Sequence, residues 1–220
     1  RCIPLAEAAT GGAGWARGIL VAFGLLSMLV AAAFIAAQHD IKRLLAYSSV
    51  EHMGVIAFGV GIGGPGAFAA LFHVLNHSVC KSLCFFCAGA VGRIFGTHDI
   101  RAIRNVLRIS QPWGMGMAGG LLALIGLAPF ALFLSEFLIV KAALEKGMFF
   151  SASVFLLGLA VVFIGVLRNI ITMAWEPATV STEAARSDVC EYLLVYLPLA
   201  ALLALGLWMP EFFQDWISQA

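Results

Sequence analysis

Apolar residues run through this chain in six long stretches separated by short polar turns, unlike the one-faced stripes of a water-soluble helical fold. The stretches extend from about Trp15 to Ala37, Leu44 to Ile62, Ala67 to Val91, Trp113 to Leu144, Phe149 to Trp175 and Tyr192 to Met209. A bilayer core needs about 20 apolar residues of helix, so each is long enough to cross. Lipid offers the backbone no hydrogen-bond partner, and the stretches do not alternate in polarity as barrel strands would, so helices are expected. The pattern predicts an all-α, polytopic membrane protein with about six transmembrane helices. The fourth stretch is too long for one straight span and contains Pro129, which cannot donate a backbone hydrogen bond and clashes with the preceding turn. A broken helix is predicted there.

Composition narrows the class. Hydrophobic residues make up 62% and charged residues 11% of the chain, far below the roughly 25% charge of an average soluble domain. A formal charge of +1 argues against nucleic acid, which would require a concentrated basic surface. A single membrane domain over residues 1–220 is expected, with the polar loop 176–188 as its only sizeable interruption. The chain opens Arg1-Cys2-Ile3-Pro4 without a leader, which reads as a fragment of a longer protein, truncated at its N-terminus. Cys80, Cys84 and Cys87 share one apolar span and read as buried thiols rather than a metal site.

If the spans alternate, one face collects Lys42, Arg43, Arg93, Arg101, Arg104, Arg108, Arg168 and Arg186, and the other Arg1, Arg17, Lys141 and Lys146. The positive-inside rule makes the first face cytoplasmic and places both ends of this chain outside.

Ionisable residues inside the spans carry the candidate chemistry, because each costs about 2.5 to 3.5 kcal/mol to insert near mid-membrane. In "LFHVLNHSVCKSLCFF", His73, His77 and Lys81 recur every four residues and share one helix face over roughly 12 Å. Groups that titrate near neutrality at that spacing, with Asn76 beside them, form a candidate proton relay. The plainer alternative has the histidines bonded to neighbouring helices and Lys81 reaching toward headgroups. Glu136 lies two turns beyond the Pro129 break, where exposed backbone and half-helix dipoles belong in a hydrated cavity; the alternative is a kinked packing helix with a structurally paired carboxylate. In "YSSVEHMG", Glu51 and His52 are adjacent and point about 100° apart, so one is expected to line a path while the other meets a partner helix. Lys42 and Arg43 read as interfacial anchors, with Lys42 kept as a candidate entrance.

Together, "DIKRLLAYSSVEHMG", "HVLNHSVCKSLCFF" and "GLAPFALFLSEFLI" resemble the proton-conducting antiporter-like membrane subunits of respiratory complex I, Mrp-type antiporters and energy-converting hydrogenases. Within that family, "YSSVEHMG" and "LGLWMPE" are most similar to component F of hydrogenase-4. The resemblance implies the second half of a fourteen-helix, inverted-repeat fold, with residues 15–177 forming most of the second repeat and 190–220 a C-terminal transmembrane helix. It matches His73, His77 and Lys81 to central relay residues, Glu136 to the ionisable position on the second broken helix, and His52 to a histidine found in part of the family. It implies a proton-translocating subunit of the prokaryotic inner membrane, partnered by other membrane subunits and a peripheral redox arm. An Mrp-type sodium/proton antiporter subunit remains the alternative, and a purely structural subunit a third reading. No iron–sulfur spacing, haem attachment motif or glycine-rich nucleotide loop is present, so no cofactor is expected in this chain.

Overall fold

The computed structural model describes residues 14–176 and 188–208. Eight helices follow in order: α1 Trp15–Ala36, α2 Ile41–Ile62, α3 Pro65–Phe95, α4 Val106–Ile109, α5 Gln111–Leu124, α6 Ala131–Glu145, α7 Phe149–Trp175 and α8 Val189–Leu207. Among the described residues there is no strand, and α1, α2, α3, α7 and α8 are each long and apolar enough to cross a membrane. The sixth crossing is the broken pair α5 and α6. The chain is a multi-pass, all-α membrane protein, as its polarity pattern predicts.

Local chemistry sets the boundaries. Asp40 caps α2 by accepting a hydrogen bond from the Arg43 N–H at 2.9 Å, which starts the helix before the apolar run and puts Lys42 and Arg43 in its first turn. Pro65 opens α3, where its missing N–H costs nothing, and Gly96 ends it at φ 66°. At 31 residues α3 is about 46 Å long, so it is either tilted or continues into the interface.

The α1–α2 and α3–α4 connections meet. Ile41 N–H donates to the His98 carbonyl at 3.0 Å and Ile100 N–H to the His39 carbonyl at 2.8 Å, so the two turns form a one-step antiparallel clasp at Asp40 and Asp99. Lys42, Arg43 and Arg101 are therefore on the same face, as alternating spans require. Arg104 joins this face to the end of α7 through an ion pair with Glu176 at 2.8 Å. Arg1, Arg186 and most of the 176–188 loop lie outside the described residues.

Helix α3 is the hub: it packs against α2, α5, α6 and α8, while α1 closes over α2 and α7. Its buried face combines Phe72, Cys80, Leu83, Cys84, Cys87 and Val91 with the polar groups described below. The three cysteines are buried free thiols, and Cys80 Sγ donates to the Gly120 carbonyl at 3.3 Å. Phe23 and Phe34 of α1, Leu157 and Ile164 of α7, and Leu193 and Leu197 of α8 point outward, where lipid replaces a protein core.

The break begins earlier than Pro129. Helix α5 stops at Leu124, Gly126 takes φ 67°, and α6 starts only at Ala131. Within the interruption, Leu127 N–H bonds the Leu122 carbonyl at 3.1 Å and Phe130 N–H the Leu127 carbonyl at 3.0 Å. Helix α8 lies directly over it, with Gly206 so close that a Cβ there would collide with the Pro129 carbonyl oxygen and the Phe130 carbonyl carbon. Both obstructing atoms are backbone, so they cannot swing aside. Gly206→Ala is expected to destabilise the α8–break contact by about 1 to 3 kcal/mol; a lower melting temperature of the detergent-solubilised full-length protein checks this, and an unchanged one contradicts it.

Candidate functional site

The polar residues of α2, α3 and α6 converge at the hub. Ser48, Glu51 and His52 come from α2, His73, Asn76, His77 and Lys81 from α3, and Ser135 and Glu136 from α6; none is more than 8% exposed. Spacing of three and four residues turns the α2 and α3 sets toward each other, while Ser135 and Glu136 are adjacent on α6 and point about 100° apart; the elements meet because α3 lies between α2 and α6.

Lys81 is held by α2. Its Nζ donates to the Leu45 carbonyl at 2.6 Å and to Ser48 Oγ at 2.5 Å, with the Phe85 ring centroid 5.9 Å away. The same carbonyl accepts from Ser48 Oγ at 3.0 Å and Ser49 Oγ at 3.2 Å, making the first turns of α2 the anchor of the lysine. Among the described residues, no ion pair joins Lys81 to Glu136. Glu51 instead lies in the electrostatic field of both.

The histidines do not run straight along α3. His52 intervenes: its Nδ1 is 2.9 Å from His73 Nε2, and its ring centroid is 4.5 Å from His77, whereas the His73 and His77 centroids are 6.2 Å apart. Beyond His73, its Nδ1 is 2.8 Å from Ser135 Oγ, which is 2.8 Å from the Leu132 carbonyl. Asn76 makes a longer contact from its Nδ2 to the Ala131 carbonyl at 3.5 Å. Thus α3 holds the first turn of the half-helix α6 at two points.

The expectation that Glu51 and His52 divide between a path and a partner helix is corrected here. Both are 1% exposed, and Glu51 Oε2 lies 3.5 Å from His52 Nε2. Helix α2 is covered by α1, α3 and α6, so side chains about 100° apart still enter one interior. Glu51 Oε1, His52 Nε2, Asn76 Oδ1 and His77 Nδ1 are buried without a hydrogen-bond partner. Tyr47, in the same motif, instead stacks on Phe34 at 4.9 Å and belongs to the α1–α2 packing. Lys42 is exposed in the first turn of α2, outside the buried cluster.

Glu136 faces a separate compartment. Its carboxylate lies against Gly126 of the break, on the wall of a cavity of about 370 Å³ whose other walls include Phe133, Phe137, Leu156 and Phe163. A Cβ on Gly126 would strike Glu136 Oε2, so the break leaves room for the carboxylate by using a glycine at positive φ. Pro129 contributes to the interruption itself.

One nitrogen from each of His52, His73 and His77 lies within 4.8 Å of the others, a grouping that three imidazoles around a transition-metal ion would need to tighten. Two of these rings already bond each other, and Lys81 lies one helical turn beyond His77. The arrangement suits proton exchange between rings better than a dication.

Sequence spacing found the α3 face and Glu136. The motif "YSSVEHMG" marks Ser48 as a hydrogen-bonding group without its partner, and Leu45 and Ser135 are missed, because a serine or a carbonyl has meaning only once a partner helix is known. Asn169 of α7, buried with its Nδ2 unpaired, draws no attention in the sequence either, since it follows Arg168 near the end of its span.

A bundle built around a broken helix and a buried row of titratable side chains belongs to the class of antiporter-like ion-path proteins. Residues 3–163 match the family described as NADH:quinone oxidoreductase/Mrp antiporter, TM, and the chain belongs to it. It is 36% identical over 205 residues to a hydrogenase-4 component F homolog of Methylacidiphilum infernorum (isolate V4), covering 91% of this chain and 41% of that protein. It is 30% identical over 188 residues to a Na(+)/H(+) antiporter polypeptide of Alkalihalophilus pseudofirmus, covering 84% and 36%. Among solved structures, a chain of respiratory complex I from Thermus thermophilus with bound NADH superimposes with a TM-score of 0.83 at 28% identity, covering 93% and 43%. The chain thus spans less than half the length of these relatives.

The Glu136 pocket generates a prediction. Gly126→Ala adds both a backbone penalty at positive φ and a collision with the carboxylate, and should cost about 1 to 3 kcal/mol. A chemical denaturation midpoint of the purified full-length protein equal to that of wild type would contradict this.

Proposed function

We propose that this chain forms part of the proton-translocating membrane subunit of a multi-subunit oxidoreductase, of the hydrogenase-4 or NADH:quinone oxidoreductase type. The observation that carries the reading is the buried cluster in which Lys81, His77 and His73 of α3 meet His52 of α2 and Ser135 of α6, with His52, His73 and Ser135 directly bonded. His73, His77 and His52 exchange protons, Lys81 and Glu136 hold charge at either end, and Glu51 couples the two electrostatically. Pro129 and the break around it free the backbone that lets Glu136 change its surroundings, and Lys42 stands at the entrance.

Electron transfer occurs in a peripheral arm formed by partner subunits. It changes hydration and charge along the membrane subunit, so that protons are taken from one side and released to the other. Residues 15–177 supply most of the second antiporter-like repeat, and the helix starting near residue 190 follows it. The cationic face with Lys42, Arg43 and Arg101 is cytoplasmic, the membrane is the prokaryotic inner membrane, and both ends of this chain lie outside.

The 30% identity to a sodium/proton antiporter polypeptide supports a second reading, transport of sodium against protons. Sodium sites in transporters draw on unwound carbonyls, whereas the connected groups here are largely imidazole and ammonium nitrogens. This composition favours protons. A sodium dependence of transport would decide for the second reading.

The test uses inverted vesicles containing the full-length complex, energised with hydrogen, formate or NADH. Glu136→Gln and Lys81→Ala should each lower dye-reported proton uptake by at least about a hundredfold, the low end for lost acid–base function. Assembled variants that pump at the wild-type rate would show the cluster to be structural.

A further inference from the structure

The geometry points to Ser135 as a further positioning residue of the proton path: its hydroxyl fixes the proton arrangement of His73 and His52 and links them to α6. This rests on the relay reading above and extends it to a group that no charge or motif marks.

The Leu132 carbonyl, 2.8 Å from Ser135 Oγ, only accepts, so the hydroxyl proton points to it. Ser135 Oγ then has lone pairs left for His73 Nδ1 at 2.8 Å, and that nitrogen must carry the proton. A neutral His73 therefore offers Nε2 as an acceptor, and His52 Nδ1, 2.9 Å away, is its donor. The remaining position is His52 Nε2, a buried nitrogen 3.5 Å from Glu51 Oε2 that faces the backbone of Leu124. Donation thus runs one way from His52 through His73 and Ser135 to Leu132, and one serine sets the tautomer of both rings.

The same chain can carry a proton with its atoms balanced. A proton arriving at His52 Nε2 makes an imidazolium, which gives its Nδ1 proton to His73 Nε2. His73 in turn gives its Nδ1 proton to Ser135 Oγ as the hydroxyl turns from Leu132 and gives its own to a water molecule, which carries it toward the Glu136 carboxylate. One proton enters, one leaves, and no bond besides N–H and O–H changes. Release requires the hydroxyl to leave Leu132, which is inexpensive because that carbonyl keeps its helical partner, the N–H of Glu136. The handover therefore occurs on the turn of α6 that carries the Glu136 carboxylate. The titratable groups around the two rings are Glu51 from α2 and His77 and Lys81 from α3, while Glu136 of α6, next to Ser135 in the chain, faces its own cavity.

Full-length complex in inverted vesicles, carrying Ser135→Ala, Ser135→Thr or His73→Ala, tests this through the rate of proton uptake, its pH profile and its solvent deuterium isotope effect. Ser135→Ala is expected to lower uptake at least about tenfold, raise the isotope effect and alter the pH profile, and Ser135→Thr, which keeps the hydroxyl, to restore most of the rate and the wild-type profile. If His73→Ala abolishes uptake but Ser135→Ala keeps the wild-type profile and isotope effect, the Ser135 assignment is wrong and the relay stands. Should Ala and Thr impair uptake equally with the profile unchanged, Ser135 only packs. If His73→Ala itself pumps normally, the relay and the role of Ser135 fall together.

Discussion

Every polar group in the interior of this molecule must find its partner inside the protein, because hydrocarbon provides none. That constraint accounts for how the central helices are joined. Helix α3 brings four polar side chains to its buried face, and the neighbours answer with what they have: α2 with the Leu45 carbonyl, Ser48 and His52, α6 with Ser135 and the Ala131 carbonyl. The surrounding contacts are apolar and, in lipid, gain little from exclusion of water. The polar contacts therefore fix the relative rotation of α2, α3 and α6, and the break between α5 and α6 lets two helix ends reach this interior.

The network is incomplete in an informative way. His73 and Ser135 are engaged on both sides and Lys81 makes two hydrogen bonds, whereas Glu51, His52, Asn76 and His77 each keep one buried atom without a side-chain or backbone hydrogen bond of ordinary geometry. Left dry, each such atom would cost about 1 to 3 kcal/mol, so ordered water or a rearranged hydrogen bond has to serve it. His98 Nδ1, Ser110 Oγ and Asn169 Nδ2 are in the same position away from the cluster.

Much of this is legible in the residues. The length and polarity of the apolar runs predict all six crossings, and Asp40, Pro65 and Gly96 show why the helices start and stop within a few residues of those runs. His73, His77, Lys81 and Glu136 stand out because charge in an apolar run is conspicuous. The extent of the break does not: Pro129 is visible, but the unwinding reaches back to Ile125, with Gly126 at φ 67° beside the Glu136 carboxylate, a contact between residues ten apart. The insertion of His52 between His73 and His77 is also hidden, since spacing within one helix says nothing about which neighbour fills the gaps. Ser135 is invisible for the same reason: its role comes from a partner 62 positions away.

If the buried groups of α2, α3 and α6 form one continuous hydrogen-bonded path, ordered water must complete it. The most direct measurement is a cryo-electron-microscopy map of the full-length complex, at a resolution that shows such water. Continuity predicts water bridging Lys81 to His77, His77 to His52 and Ser135 to Glu136, with the direct His52–His73–Ser135 contacts between them. Tightly packed apolar side chains filling any of these gaps, with no water in reach, would contradict it.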